Sequence, residues 1–420
     1  MSSILARACI ACAFVISSSW VCTRAGELTL AGALDAALRN HPELRASAYE
    51  LNAAQARVVQ ADVRPNPDFA VEFENFGGGG ATRKADALET TLSLSQVLEL
   101  GGRRTLRRNA AAAGLEFAST GQRARELDVL AEVATRFIDV VACQEQEQLA
   151  GESVRLAQAT LDTIDTRVAA GRSPLAEQSR ARIALTRALI EQRQAVSELR
   201  AARHVLAASW GSPEPDFTTA RAALFELRTV EPVQTLIDRL DASPDFVRFA
   251  SEARLREAEL RLARVQARPN LAVSLGLRRL EESGDTALVA GFTMPLAISD
   301  RNQGGIREAQ VRLEQVSALA AAARIRANAS LLALHQQVSA DRARVETLRN
   351  EALPQAQLAL EQTRSGYERG RFSFLELITA QEELLTLQAA AIDAAADFHR
   401  LLAQIERLTG TNATRPTSTP

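Results

Sequence analysis

Residues 68–98, DFAVEFENFGGGGATRKADALETTLSLSQVL, set the architecture of this chain. Phe69, Val71 and Phe73 fall on one face and alternate with small or acidic residues. The same alternation returns after the glycine run 77–80. A hydrophobic period of two indicates β-structure, so this segment is predicted to form a strand, a loop and a second strand.

The same pattern occurs again near residues 271–277 and 286–294, separated by Ser283-Gly284-Asp285. Each predicted strand has about ten residues, which is the length of a tilted strand that crosses a bilayer. One face is apolar and the other is small or polar, as lipid outside and water inside require. The alternative interpretation is two soluble β-hairpins packed on helices.

The chain is internally duplicated, with landmarks that recur in the same order about 200 residues apart. Arg64-Pro65-Asn66 recurs as Arg268-Pro269-Asn270, and Ala170-Gly171-Arg172 recurs as Arg369-Gly370-Arg371. A period this long indicates a duplicated half-molecule. The predicted domains are a first repeat over 26–211, an inter-repeat linker over 212–232, a second repeat over 233–410, and a disordered tail over 411–420.

Long helices are predicted between the strands. Residues 28–62 form a helix in this interpretation, and no proline interrupts residues 102–170. Only Pro354 interrupts residues 305–370. Roughly 65 helical residues make a rod of about 100 Å. In the last helix a 3–4 spacing predicts a coiled-coil seam of apolar residues: Leu377, Ala380, Leu384, Leu387, Ala391, Ala394, Phe398, Leu401, Ile405 and Leu408.

Four strands cannot close a membrane barrel, because open sheet edges in lipid leave backbone groups unpaired. Three copies would supply twelve strands, enough to enclose a lumen. The long helices, also taken three times, would continue that barrel as a helical tube. The predicted fold class is therefore an α+β membrane channel, with a helical coiled-coil barrel and a trimeric 12-strand transmembrane β-barrel.

Composition excludes several other functions. The formal net charge is −2 without a basic block, which argues against nucleic-acid binding. The four histidines are scattered without metal-ligand spacing, and the glycine run lacks the Lys-Ser/Thr of a phosphate loop. We therefore predict no catalytic residue, no metal site and no cofactor, and a chain that is not an enzyme.

Residues 1–25 have the layout of a secretory signal peptide: Arg7, an apolar run over 8–16 and small residues before Ala25. Lipidation at Cys22 is an alternative, although Trp20 and Val21 precede it where a small residue is expected. Cleavage would leave Cys143 as the single cysteine, which can form no internal disulfide. The chain is predicted to be exported.

With these features the sequence resembles the TolC-type outer-membrane efflux protein family over nearly its whole mature length. It is most similar to the heavy-metal branch, the outer-membrane components of cobalt–zinc–cadmium efflux systems. The narrower resemblance lies in Arg64-Pro65-Asn66-Pro67 before the first strand and in residues 95–104, SQVLELGGRR, after the second.

The resemblance implies that the two helix-pair tips form the periplasmic end, where an adaptor docks and the channel narrows. Glu177, Glu376 and Tyr367 match family gate positions, whereas Phe372 and Thr379 replace an arginine and an acidic residue. A ring of Glu177 and Glu376 carboxylates would favour cations, although both could instead be ordinary helix-start glutamates. The expected adaptor-docking residues are Arg167, Gly171, Arg172, Arg369, Gly370 and Arg371.

The resemblance also implies a passive homotrimeric conduit in the outer membrane of a Gram-negative bacterium, in contact with outer-membrane lipid. Its partners would be a periplasmic adaptor (membrane-fusion) protein and a proton-driven inner-membrane pump of the RND type. The expected substrates are divalent heavy-metal cations. The alternatives are a multidrug or type I secretion channel, or an exported coiled-coil periplasmic adaptor.

Overall fold

A computed structural model describes residues 26–82 and 85–411. The predicted signal peptide, with Cys22, and residues 412–420 of the predicted tail lie outside this part. Within it, nine α-helices account for most of the chain. They are α1 (Leu30–Asn40), α2 (Pro42–Ala61), α3 (Arg103–Ala169), α4 (Leu175–Ala208), α5 (Val233–Arg239), α6 (Pro244–Gln266), α7 (Gln303–Thr347), α8 (Leu353–Glu368) and α9 (Phe374–Thr409).

Six strands lie in the same part of the chain and form two sheets. They are β1 (Gly26–Thr29), β2 (Asp68–Glu74), β3 (Glu89–Leu98), β4 (Phe217–Arg221), β5 (Leu271–Leu280) and β6 (Thr286–Thr293). The larger sheet is antiparallel in the order β2-β3-β5-β6. The four strands predicted from the period of two are confirmed, and the β3–β5 pairing joins the two halves of the chain.

The prediction of one helix over residues 28–62 was wrong in two places. Residues 28 and 29 belong to strand β1, and Thr29 then caps α1 by accepting the Gly32 amide at 3.2 Å. The helix breaks again at His41, because a proline disfavours helical geometry in the residue before it. Strand β1 pairs in parallel with β4, which lies inside the predicted linker 212–232. This small sheet was not predicted, because its strands lie about 190 residues apart.

The long helices are confirmed. Helix α3 runs for 67 residues and packs against α2, α4, α6 and α9. Helices α7 and α8 are continuous through a π-helical turn at Leu348–Ala352. This turn precedes Pro354, whose ring and missing N–H cannot fit an ordinary α-helical ladder. Among the described residues, no helix combines the length and the apolar character needed to cross a membrane.

The coiled-coil seam of α9 is largely as predicted, with one polar member. Leu377, Ala391 and Phe398 are buried as expected. At the second position, however, the structure buries Gln381 rather than Ala380, so the seam is not wholly apolar. The Gln381 amide donates to Thr160 Oγ1 on α3 at 2.8 Å. That bond satisfies a buried polar group between the two helices.

The two faces of the four-stranded sheet differ in character, as alternation requires. Phe69, Leu94, Leu277 and Phe292 stand exposed on one face, the last with 80 % of its surface accessible. The other face carries serine, threonine, glycine and charged residues. Gly276 lies on this second face, where a Cβ atom would approach the Leu92 carbonyl oxygen to 2.6 Å. Its lack of a side chain permits the close approach of β3 and β5.

Candidate functional site at the helix tips

The two helix pairs, α3–α4 and α8–α9, reverse through turns with the same backbone geometry. Gly171 and Gly370 adopt left-handed conformations with φ of 70° and 75°. The amide after each glycine bonds back to a carbonyl five residues earlier, at 2.8 Å in both tips. This is the Schellman closure of a helix end, which needs a residue without a Cβ at the left-handed position. The duplication thus places two equivalent tips side by side.

Tyr367 and Glu177 connect these tips by a hydrogen bond. The Tyr367 hydroxyl donates to Glu177 Oε2 at 3.1 Å, and the Tyr367 side chain is almost fully buried. Its ring packs against Phe374 at the start of α9, with 6.4 Å between ring centroids. Burial raises the pKa of Tyr367, so the phenol keeps its proton and remains a donor at neutral pH.

Arg167 completes this arrangement from the end of α3. Its guanidinium lies 4.7 Å from the centroid of the Tyr367 ring and donates to the carbonyl oxygens of Tyr367 and Glu368 at 3.2 Å. Its Nε also donates to Ser173 Oγ at 3.2 Å. We call the group Arg167, Glu177 and Tyr367 the tip contact. The half-buried Arg167 therefore joins the two repeats inside the chain, a position that sequence reasoning did not foresee.

Glu376 lies apart from the tip contact, on the first turn of α9. It forms a capping box with Ser373: the carboxylate accepts the Ser373 amide at 2.6 Å and the Ser373 hydroxyl at 2.7 Å. These bonds lower the pKa of Glu376, so this fully exposed carboxylate is ionised at neutral pH. Thr379, one turn further along, is also exposed.

Phe372 packs on the helix that leads to its own tip. A Cβ atom at the buried Gly366 would lie 2.0 Å from Phe372 Cδ2, so the ring sits where a side chain would otherwise be. An apolar ring at this position makes no ion pair. With Phe372 in place of the family's arginine, this tip is therefore held together by packing and by the tip contact.

The remaining arginines of the tips point to solvent. Arg172, Arg369 and Arg371 are exposed, and Arg369 donates to Ser365 Oγ at 2.6 Å. None of the three forms an ion pair with a carboxylate in the described part of the chain. Three guanidinium groups without a carboxylate partner in the described part of the chain therefore lie on the surface of the tips. Across residues 26–82 and 85–411, no three His, Cys, Asp or Glu side chains are grouped as metal ligands.

The fold defines a class of protein: a channel subunit in which long helices extend from a four-stranded membrane sheet that one chain cannot close. The outer membrane efflux protein family model matches residues 33–212 and 237–411, and the chain belongs to this family. It is 31 % identical to the cobalt-zinc-cadmium resistance protein CzcC of Cupriavidus metallidurans, over 92 % of this chain and 91 % of that protein.

Two further comparisons agree with this assignment. The chain is 26 % identical to the nickel-cobalt-cadmium resistance protein NccC of Alcaligenes xylosoxydans xylosoxydans, over 73 % of this chain and 69 % of that protein. The crystal structure of the outer membrane protein VceC from Vibrio cholerae superposes with a TM-score of 0.72 at 20 % identity. That superposition covers 91 % of this chain and 96 % of VceC.

The predicted class, location and partners are thereby confirmed. The chain is the outer-membrane channel of a tripartite efflux system in a Gram-negative bacterium, with its helical barrel in the periplasm. It acts as a trimer with an adaptor and an inner-membrane pump. The family conducts passively, and the periplasmic adaptor interpretation of this chain is set aside.

Proposed function

We propose that this channel conducts divalent heavy-metal cations from a proton-driven RND-type pump to the exterior, without catalysing a reaction. The observation that carries the proposal is the 31 % identity to CzcC across nearly the whole of both chains. The similarity to NccC, a nickel-cobalt-cadmium resistance protein, supports the same class of substrate. The proposed repeats 26–211 and 233–410 supply one helix-pair tip each.

The tip contact is proposed to hold the periplasmic end closed. Tyr367 and Arg167 belong to different repeats and meet through one hydrogen bond and one stacked ring, and the Tyr367 hydroxyl adds a hydrogen bond to Glu177. Separating the tips would expose the Tyr367 ring and break its bond to Glu177. Phe372 and Thr379 are proposed as uncharged members of this gate. Phe372 contributes packing against Gly366, and Thr379 lies exposed on α9.

Glu177 and Glu376 are proposed as the charged lining of the same opening. Three copies of each would place six carboxylates around a confined passage, which concentrates cations. The double variant Glu177→Gln with Glu376→Gln tests this role, because glutamine at position 376 can still form the capping box. We expect a lower cation preference in bilayer recordings, and unchanged reversal potentials would contradict the proposed ring.

The exposed arginines Arg172, Arg369 and Arg371 are proposed to contact the adaptor, with Gly171 and Gly370 shaping the turns that present them. Arg167 contributes indirectly, since it fixes the relative position of the two tips. Three exposed guanidinium groups suit an adaptor that presents carboxylates or backbone carbonyls.

Growth of a deletion strain tests the proposed substrate class. The strain should be hypersensitive to Co²⁺, Zn²⁺, Cd²⁺ or Ni²⁺, and expression of the intact chain should restore growth. The control panel includes Cu²⁺ and several antibiotics. Hypersensitivity to antibiotics without hypersensitivity to metals would assign the channel to multidrug export instead.

A further inference from the structure

The water-facing side of the four-stranded sheet has a definite charge pattern. The alternation and register place four acidic residues and one basic residue on the polar face, which is the face opposite Phe69 and Phe292. The net charge of this face is −3 in one chain and −9 in the trimer. The residues are Asp68, Glu72, Glu74, Glu89 and Arg278.

Arg278 forms two ion pairs and a hydrogen bond to Thr91 at one end of the sheet. Its guanidinium contacts Glu89 Oε2 at 2.7 Å and Glu74 Oε2 at 2.8 Å. Its Nε donates to Thr91 Oγ1 at 2.9 Å. Glu89 is satisfied on its other side as well, since Oε1 accepts the Asn75 amide at 3.1 Å. Arg278 thereby connects strands β2, β3 and β5.

Glu72 and Asp68 are in a different situation. Glu72 faces Thr91 across the β2–β3 pair, in the same row as Arg278, and Asp68 faces Ser95. Both are exposed, and neither makes a hydrogen bond or ion pair with another residue of the described chain. The Arg278 guanidinium instead contacts the neighbouring row of cross-strand pairs, in which Glu74 faces Glu89. The two other carboxylates, Glu72 and Asp68, have no cationic partner in the described part of the chain.

We infer that Arg278 sets the ion selectivity of the strand-lined section: its single positive charge is shared by Glu74 and Glu89 and offsets one of their two negative charges, while Glu72 and Asp68 attract cations. A ring of three Glu72 and a ring of three Asp68 carboxylates would then line the passage along the barrel. Fixed charges in a confined pore raise the local concentration of counter-ions and lower that of co-ions. This section would select hydrated cations by field alone, without binding them.

The inference rests on the chain forming a channel and does not depend on heavy metals as the substrate. Reversal potentials in KCl gradients measure it without any divalent cation. A failure of the metal-growth experiment would therefore leave this test unaffected, and the reverse also holds.

The test is a set of planar-bilayer recordings on purified trimers. Arg278→Gln removes one positive charge per chain and leaves Glu74 and Glu89 without their cationic partner. We expect the K⁺/Cl⁻ permeability ratio to rise by roughly twofold to fourfold in 0.1 M salt. Arg279→Gln is the matched control, because Arg279 is the next residue of β5 and lies on the opposite face. It should leave the ratio unchanged.

A second variant keeps the inference testable if Arg278→Gln does not assemble. Asp68→Asn with Glu72→Gln removes charges that have no partner in the described chain, so the trimer should form normally. We expect the permeability ratio to fall by roughly fourfold or more, since six charges leave the lumen of the trimer. An unchanged ratio in this variant, or equal shifts for Arg278→Gln and Arg279→Gln, would overturn the inference.

Discussion

Removal of one hydroxyl group from the tip contact should open the channel. In Tyr367→Phe the ring keeps its stacking with Arg167 at 4.7 Å and with Phe374 at 6.4 Å. The 3.1 Å hydrogen bond to Glu177 is lost, together with the interaction of the hydroxyl with the Ser173 side chain. The substitution therefore removes the hydrogen bond between the two tips while it leaves the packing of the ring unchanged.

The size of the effect follows from the environment of the bond. Hydrogen bonds to charged groups contribute about 1.5–3 kcal/mol, and the partial exposure of Glu177 places this bond near 1 kcal/mol. If the three copies open together, the closed state loses about 3 kcal/mol, which lowers the closed-to-open ratio roughly 100-fold. If each tip opens independently, the ratio falls only about fivefold.

Single-channel recording of purified trimers measures this ratio directly as open probability. Tyr49→Phe is the matched control, because Tyr49 is the only other tyrosine and its side chain is 70 % exposed on α2. Glu177→Gln retains an acceptor for the Tyr367 hydroxyl and should have a smaller effect than Tyr367→Phe. An open probability equal to that of the intact chain in Tyr367→Phe would refute a closing role for the tip contact.

Two further substitutions probe the tip and the helical barrel. Gly366→Ala should displace the Phe372 ring and lower the stability of the trimer by about 1–3 kcal/mol. Gly121→Ala on α3 is the control, because open space surrounds Gly121 and its substitution should leave the stability unchanged. Thermal unfolding of both variants in detergent measures the difference. Burial lowers the pKa of His399 below its ordinary 6.5, so the folded chain loses stability as pH falls below that value. The half-buried Glu406 has a raised pKa and acts in the opposite direction. Because the loss is assigned to His399, His399→Gln should reduce the loss of stability between pH 7.5 and 5.5, and an identical loss in both proteins would contradict that assignment.

Local sequence was sufficient for much of the fold. The period of two gave the four membrane strands, because side chains of a strand alternate between faces whatever its neighbours are. The absence of proline gave the long helix α3, and Gly171 and Gly370 marked the reversals. Each of these features depends on residues within a few positions of one another.

Only part of the candidate site could be predicted from the sequence. The family resemblance pointed to Glu177 and Tyr367, but it did not reveal that they are bonded to each other. Their bond joins residues 190 positions apart, and the stacking of Arg167 on Tyr367 spans 200. Contacts of this kind arise when helix pairs pack, and no local pattern encodes them.

The sequence by itself determined the four long strands, the long helices, the duplication and the need for further copies of the chain, since these follow from hydrophobic period, turn residues and unpaired strand edges. Only the tertiary structure decided the β1–β4 pairing, the burial of Gln381 in place of Ala380, and the choice of Glu74 and Glu89 as partners of Arg278. The physical reason is the same in each case. Several partners satisfied the local pattern equally well, and the packing of distant segments selected among them.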